Sequence, residues 1–263
     1  MIRVIDTMKI EDVYNFSITT VRELRSYILN KIFSDYGITE KTDYFDLVTD
    51  VDKDIERMIT QKIREKFPHH SIVGEEGTGI KNGKNLWLID PIDGTLNFIH
   101  QKRNFVISLA YYEDGVGKVG CIYDVIHDEL YTAIRGNGCF FNNKKVEPLK
   151  EKPLKESLIA MNHRLFLDLI ERDKEMTKDL LSNIRGIRSY GCAALEIAYV
   201  ATGRLDAYIT PNLSPWDFAA GNILIEEVGG KVSTIEKMDI DINNKSSFIA
   251  SNKSIYNSLL SYF

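Results

Sequence analysis

The chain is short of cysteine, has no surplus of basic residues and carries no apolar run approaching the length of a bilayer span. Cys121, Cys139 and Cys192 are odd in number and widely spaced, with no paired-ligand pattern. That argues against a disulfide framework or a zinc site and for reduced, mostly buried thiols. A net charge of −5 disfavours a polyanion-binding surface, because nucleic-acid binding normally shows a basic stripe. The N-terminal segment puts acids where a signal peptide needs an apolar core, so a cytoplasmic protein with neither membrane nor nucleic acid as partner is the expectation. His69, His70 and His100 show no spacing that resembles a ligand set. No internal repeat or low-complexity stretch appears. What is there is ordinary for a globular protein: 44% apolar and 27% charged residues over 263 positions. A chain of that length buries roughly 70–75% of the surface it exposes unfolded, as one large domain or two fused lobes.

The organising stretch is Trp87–His100, WLIDPIDGTLNFIH. Trp87, Leu88 and Ile89 fit a buried strand, and Asp90 and Asp93 follow at its end. Pro91 fixes its own φ and has no N–H to donate, so a turn is expected there, with neighbouring carbonyls such as that of Ile92 facing outward. Gly94 lets the backbone approach a ligand, and Thr95 offers a hydroxyl and an amide where a helix begins. Hard oxygen ligands for cations thus stand beside N–H donors for an anion, a pairing that suits a metal-bound phosphate.

Before this stretch, apolar spacings of three and four predict a helix from Ile10 to Tyr36 closed by Gly37, then an exposed loop over Thr39–Tyr44 that includes Lys41. Leu47 and Val48 read as strand, and Thr49 with Asp52 as a capping box opening a helix that Pro68 ends. Ser71–Gly74 is a short strand ending in Glu75 and Glu76. After it, Phe105–Tyr112, Val116–Tyr123 and Glu129–Ile134 predict an antiparallel meander, with Asp114-Gly115 a hairpin signal. Lys144–Lys155 is the best boundary between an α+β lobe (1–150) and an α/β lobe (151–263). The second half alternates strand and helix, with helices expected at Leu165–Asn183, Cys192–Thr202 and Ser214–Val228. Layered helices and sheets follow from this order.

Six acids fall at element ends: Asp52, Glu75, Glu76, Asp90, Asp93 and Asp217. Each has a bland reading: Asp52 and Asp217 as helix-start residues, Glu75-Glu76 as a solvated pair, and Asp90 and Asp93 as a plain turn. Were four of them to converge without cations, each pair would repel by about 4 kcal/mol at roughly 4 Å. Two divalent ions balance four carboxylates, and oxygen-only ligands favour Mg²⁺ over zinc, which suggests a two-metal hydrolytic site.

Together, D-L-V-T-x-x-D at Asp46–Asp52, G-E-E at Gly74–Glu76, W-x-I-D-P-I-D-G-T-x-N-F at Trp87–Phe98, G-I-R-S-x-G at Gly186–Gly191, V-A-T-G at Val200–Gly203 and W-D-x-A-A-G at Trp216–Gly221 resemble the inositol monophosphatase family of Mg²⁺-dependent, lithium-sensitive phosphatases. The resemblance implies a mixed α/β fold, a layered αβαβα sandwich of the sugar-phosphatase type, in a homodimer. It implies one Mg²⁺ on Glu75, Asp90 and the Ile92 carbonyl, a second on Asp90, Asp93 and Asp217, and a third, weaker ion on Glu75 through waters. Asp52 and Thr95, with Glu75, would activate the attacking water without a phosphoenzyme. Gly94 and Thr95 amides would hold the phosphate, and Asp93, Gly191, Cys192, Ala193 and Asp217 would line the substrate side. Glu76 would stand behind the ligands, and the loop with Lys41 would close over them. Where members selective for inositol phosphates carry a glutamate before W-D, this chain has Thr210, and their substrate-facing serine region reads Asn162-His163-Arg164. The expected substrate is therefore a small phosphomonoester, foremost myo-inositol monophosphate, with reduced selectivity. The alternatives are an NADP(H) 2′-phosphatase, a fructose-1,6-bisphosphatase, or a non-catalytic metal- or nucleotide-sensing module.

Overall fold

The computed structural model describes residues 9–40, 47–77 and 83–263. The first half contains α1 (Ile10–Lys31), β1 (Ile38–Glu40), β2 (Leu47–Thr49), α2 (Asp50–Lys66), β3 (Ser71–Gly74), β4 (Asn85–Asp93) and α3 (Thr95–His100). It continues through β5 (Val106–Glu113), β6 (Val116–Asp124), β7 (Glu129–Ile134), β8 (Gly138–Phe141) and β9 (Lys144–Lys145). The second half contains β10 (Leu158–Met161), α4 (His163–Arg172), α5 (Lys174–Ser182), β11 (Gly186–Arg188) and α6 (Ala193–Ala201). It ends with β12 (Ala207–Leu213), α7 (Pro215–Glu227), β13 (Lys231–Ser233), β14 (Ser246–Ser251) and α8 (Lys253–Leu260).

Strands β3 to β9 form a seven-stranded sheet in sequence order, antiparallel except for the parallel β3–β4 pair. The second sheet runs β11-β10-β12-β14-β13. Period-two alternation assigns each strand's residues to opposite layers. Trp87, Ile89, Ile107, Leu109 and Tyr111 join α1 and α2 in one buried cluster, while Leu86, Leu88, Val106, Ala110 and Tyr112 face α6 and α7 in another. In the second sheet Tyr208, Phe248 and Ala250 turn toward those same middle helices. Ile159, Ile209 and Ile249 turn away, onto α4, α5 and α8. The five layers are thus α1/α2, sheet, α6/α7, sheet, α4/α5/α8, the αβαβα sandwich expected. Helices α6 and α7 are apolar on nearly every side because both of their faces meet a sheet.

Close approach in the middle layer depends on missing side chains. A Cβ on Gly120 of β6 would lie 2.5 Å from the Ala220 carbonyl oxygen of α7, a backbone atom with no room to retreat.

Five expectations differ from the structure. Helix α1 stops at Lys31 rather than Tyr36, and the Tyr36 ring instead packs against Phe98 at 5.3 Å, so a tertiary contact outweighs the continuing periodicity. Gly37 is no cap; its N–H donates to Asp50 Oδ2 at 3.1 Å. Thr39 and Glu40 belong to β1, paired with β2, while Lys41 and the rest of that loop lie outside the described residues. The helix expected over Leu165–Asn183 is two, because the Asp173 carboxylate accepts the N–H groups of Glu175 and Met176 and starts α5 afresh. Pro91 does not turn the chain: β4 runs on to Asp93 through a register shift between Asp90 and Asp93, where a bulge tolerates a residue without an N–H.

Replacing Gly120 with alanine forces β6 and α7 apart. Chemical denaturation of Gly120→Ala is expected to show a loss of roughly 1–3 kcal/mol; an unchanged midpoint would mean that this interface yields.

Candidate active site

Glu75, Asp90, Asp93 and Asp217 reach the cleft from near the ends of regular elements, and Asp52 stands beside it. The Glu75 N–H donates to the Ile89 carbonyl at 3.1 Å, carrying the β3–β4 pairing one residue further and bringing Glu75 alongside Asp90. Thr49 and Asp52 form the capping box of α2: Asp52 Oδ2 accepts the Thr49 N–H at 2.9 Å and the Thr49 hydroxyl. Its Oδ1 is left to face Thr95 Oγ1, 3.4 Å away. Ser214 and Asp217 repeat the device on α7, where Asp217 Oδ2 accepts the Ser214 N–H at 2.9 Å. Asp93 Oδ2 takes the Ala194 N–H at the start of α6 and the Cys192 thiol at 3.3 Å. In Asp52, Asp93 and Asp217, then, one carboxylate oxygen is tied to nearby donors; Asp93 and Asp217 line the cleft, and the second oxygen of Asp52 faces Thr95. Gly94, at φ 94°, makes the left-handed turn into α3, and a Cβ there would stand 3.0 Å from the Asn104 carbonyl oxygen.

The cleft has a volume of about 290 Å³ and brings together Glu75, Asp90, Ile92, Asp93, Gly94, Thr95, Gly191, Cys192, Ala193 and Asp217. Asp52 does not line it and adjoins it only through Thr95. Glu76 is not on its wall either; the Glu76 N–H donates to the buried Glu56 carboxylate at 2.8 Å. The lining also includes Asn162, Ser189, Glu196, Tyr208 and Thr210. Glu196 and Tyr208 escaped the sequence reading. The signal for Glu196 was a lone acid within the apolar run of α6, buried with its carboxylate accepting the Tyr190 N–H. His70 has a packing role: its Nδ1 accepts the Trp87 indole N–H at 3.0 Å and its ring stacks on Phe67.

Burial is the leading influence on the acids here. It pushes Asp52 up to about 6 against the Thr49 hydrogen bonds, and Asp93 up to about 6 against the Ala194 N–H. Asp90 is pushed well above the ordinary carboxylate range by burial and by the charges of Glu75, Asp93 and Asp217, and it shares a side-chain hydrogen bond with Glu75. Asp217 rises well above that range from burial, then from Asp93 and Glu75. Asp93 and Asp217 are only half-buried by surface, because they face the cleft, yet they lie deep enough for desolvation to dominate. Asp90 Oδ1 is buried with no hydrogen-bond partner among the described residues. Among the described residues no three His, Cys, Asp or Glu side chains already stand in a closed ligand arrangement. Like charges in a low-dielectric cleft separate or share protons, so the acids converge without closing. Carboxylates, a carbonyl and an orphaned buried oxygen are the donor set of a hard divalent cation such as Mg²⁺, and the residues fit one.

A profile of the inositol monophosphatase family matches residues 9–263. The inositol-1-monophosphatase of Bacillus subtilis is 45% identical over 242 residues, covering 91% of each chain. The fructose-1,6-bisphosphatase/inositol-1-monophosphatase of Thermotoga maritima is 36% identical, over 95% of this chain and 94% of its own. Among solved structures, an IMPase/NADP phosphatase complexed with Mg²⁺ and phosphate superposes with a TM-score of 0.88 at 31% identity, over 96% of this chain and 95% of that one. The fold and cleft are those of a layered phosphatase-type sandwich with an acid-lined mouth. The chain belongs to the inositol monophosphatase family.

The raised acids set the pH response of the metal-free protein. Their folded pKa values exceed the unfolded ones, so the folded state binds protons more tightly. The stabilisation is complete below about pH 4 and is lost as pH rises through about 6. Metal-free protein is therefore expected to unfold more easily at about pH 8 than at about pH 5, by on the order of a few kcal/mol. Denaturation in chelator at both values checks this, and greater stability at the higher pH would contradict the arrangement.

Proposed function

We propose that the protein is a Mg²⁺-dependent phosphomonoesterase that hydrolyses a small phosphorylated polyol, foremost myo-inositol monophosphate. The observation that carries this reading is the convergence of Glu75, Asp90, Asp93 and Asp217 on one cleft beside Thr95 and Asp52. On this reading Glu75, Asp90 and the Ile92 carbonyl would hold one ion, Asp90, Asp93 and Asp217 a second, and Glu75 a weaker third through waters. Bound divalent ions neutralise phosphate charge and acidify a coordinated water. The chain supplies the rest. Asp52, its Oδ2 locked in the capping box, keeps Oδ1 turned to Thr95, so this pair with Glu75 orients the attacking water and accepts its proton. The Gly94 and Thr95 amides at the head of α3 hold the phosphoryl oxygens. Gly191, Cys192 and Ala193 border the leaving alcohol, and positioning with charge neutralisation accounts for most of phosphoryl-transfer catalysis.

A second reading has its own support. Where selective members place a glutamate this chain has the neutral Thr210, whose Oγ1 accepts from Asn162 Nδ2 at 3.4 Å. Without a carboxylate at position 210 the wall repels a second phosphate less, even with Glu196 still on the lining, which favours NADP 2′-phosphate or fructose 1,6-bisphosphate as additional substrates. A purely metal- or nucleotide-sensing role is disfavoured because binding alone does not require Asp52 and Thr95 alongside every ligand. A cytoplasmic homodimer completes the proposal on family resemblance.

Phosphate release from inositol 1-phosphate is expected with Mg²⁺ and not with chelator, and Asp93→Asn should lower turnover by roughly 10²–10³-fold while remaining folded. Side-by-side kinetics with NADP and fructose 1,6-bisphosphate rank the substrates. No release from any of them would leave the sensor.

A further inference from the structure

Asn97 belongs to the motif that organises the chain, yet the chemistry above gives it no task. It lies on α3, two residues beyond Thr95, and is buried. Its Nδ2 donates to the Asn104 carbonyl at 2.8 Å and the Tyr190 carbonyl at 2.7 Å, with the Gly191 carbonyl 3.2 Å away. Its Oδ1 accepts the Gln101 side-chain amide at 2.9 Å. Three carbonyls on one atom leave no choice of amide orientation, since only the NH₂ group can face them.

These partners are not incidental. The Asn104 carbonyl oxygen stands against Gly94, where a Cβ would come within 3.0 Å of it. Tyr190 and Gly191 lead directly into α6, whose Ala194 N–H and preceding Cys192 thiol hold Asp93 Oδ2. The same residue is gripped through its other backbone group, where the Tyr190 N–H donates to Glu196 Oε1. Gly191 sits at φ 72°, and a Cβ there would approach Asn97 Nδ2 to 3.3 Å. One carboxamide therefore joins the phosphate end of the cleft, built by residues near 94, to the leaving-group end, built by residues near 191.

We propose that Asn97 is a positioning residue: it pins the Tyr190–Gly191 segment so that the head of α6 meets Asp93 in register, aligning the two ends of the cleft. The phosphate end lies on Asn97's own helix and does not need the pin. The leaving-group end does.

The test uses Asn97→Ala and Asn97→Asp in the full-length protein, the second keeping the volume but losing the donors. Hydrogen exchange is the first readout. Amides of residues 191–196 are expected to exchange more than about tenfold faster in both variants, while those of β5 and β6 keep their rates. Kinetics is the second, and it alone rests on the phosphatase reading. For inositol 1-phosphate kcat/KM should fall on the order of 10–100-fold, mainly through KM. The Ki of inorganic phosphate should stay within about threefold, because its amides ride on α3. Should the Asn97 variants fail to fold, Gly191→Ala disturbs the same grip from the other side and should give the same exchange pattern. Unchanged exchange at 191–196, or acceleration spread equally through β5 and β6, overturns the proposal. So does a phosphate Ki that rises in step with KM. If no phosphomonoester is turned over at all, the function reading fails, and the exchange pattern still decides the pin.

Discussion

Crowding of negative charge governs this molecule. Carboxylates drawn into a common cleft lose water and face one another, and either effect alone would drive them apart or protonate them. They stay because their elements hold them from behind: Asp52 by Thr49, Asp217 by Ser214, and Asp93 by the head of α6. One oxygen of each is thereby anchored. Asp90 Oδ1, buried with no hydrogen-bond partner among the described residues, is the extreme case of exposure to that crowding. The arrangement is costly for the bare chain and favourable for one carrying divalent cations, so the electrostatic cost and the chemistry have a single origin.

Layering makes that convergence achievable. Strand β4 and the starts of α2, α3, α6 and α7 end in the same region because α6 and α7 are clamped between two sheets, and they can be clamped only where bulk is withheld, as at Gly120 against Ala220. Their apolar, small-residue sequences serve packing on both faces. The functional groups are confined to the termini, where backbone N–H groups are still uncommitted. Tyr112 illustrates the tightness of the layer: its hydroxyl crosses from β5 to donate to the Ala219 carbonyl on α7 at 3.0 Å.

Reading the acids as helix caps and reading them as ligands looked like competing accounts, yet Asp52 and Asp217 turn out to cap with one oxygen and face the cleft side with the other. Where local reading failed, a specific competitor prevailed. Asp173 diverted its carboxylate to two backbone amides and split a helix, Tyr36 left a helical pattern to pack on Phe98, and Pro91 was absorbed into a bulge. Glu196 and Asn97 carried weak signals, an acid among alanines and an amide inside a motif, because their partners lie in other elements.

The amino-acid order by itself determined the alternation of layers, both capping boxes and the identity of the acids, since periodicity, caps and turn chemistry act over a few residues and are written where they act. Only the tertiary structure decided which acids share one cleft, which oxygen each presents and how the residues near 94 are fastened to those near 191. Those depend on contacts across roughly a hundred residues, and the free energy of such contacts comes from burial and charge that exist only once the sheets have closed on the helices between them.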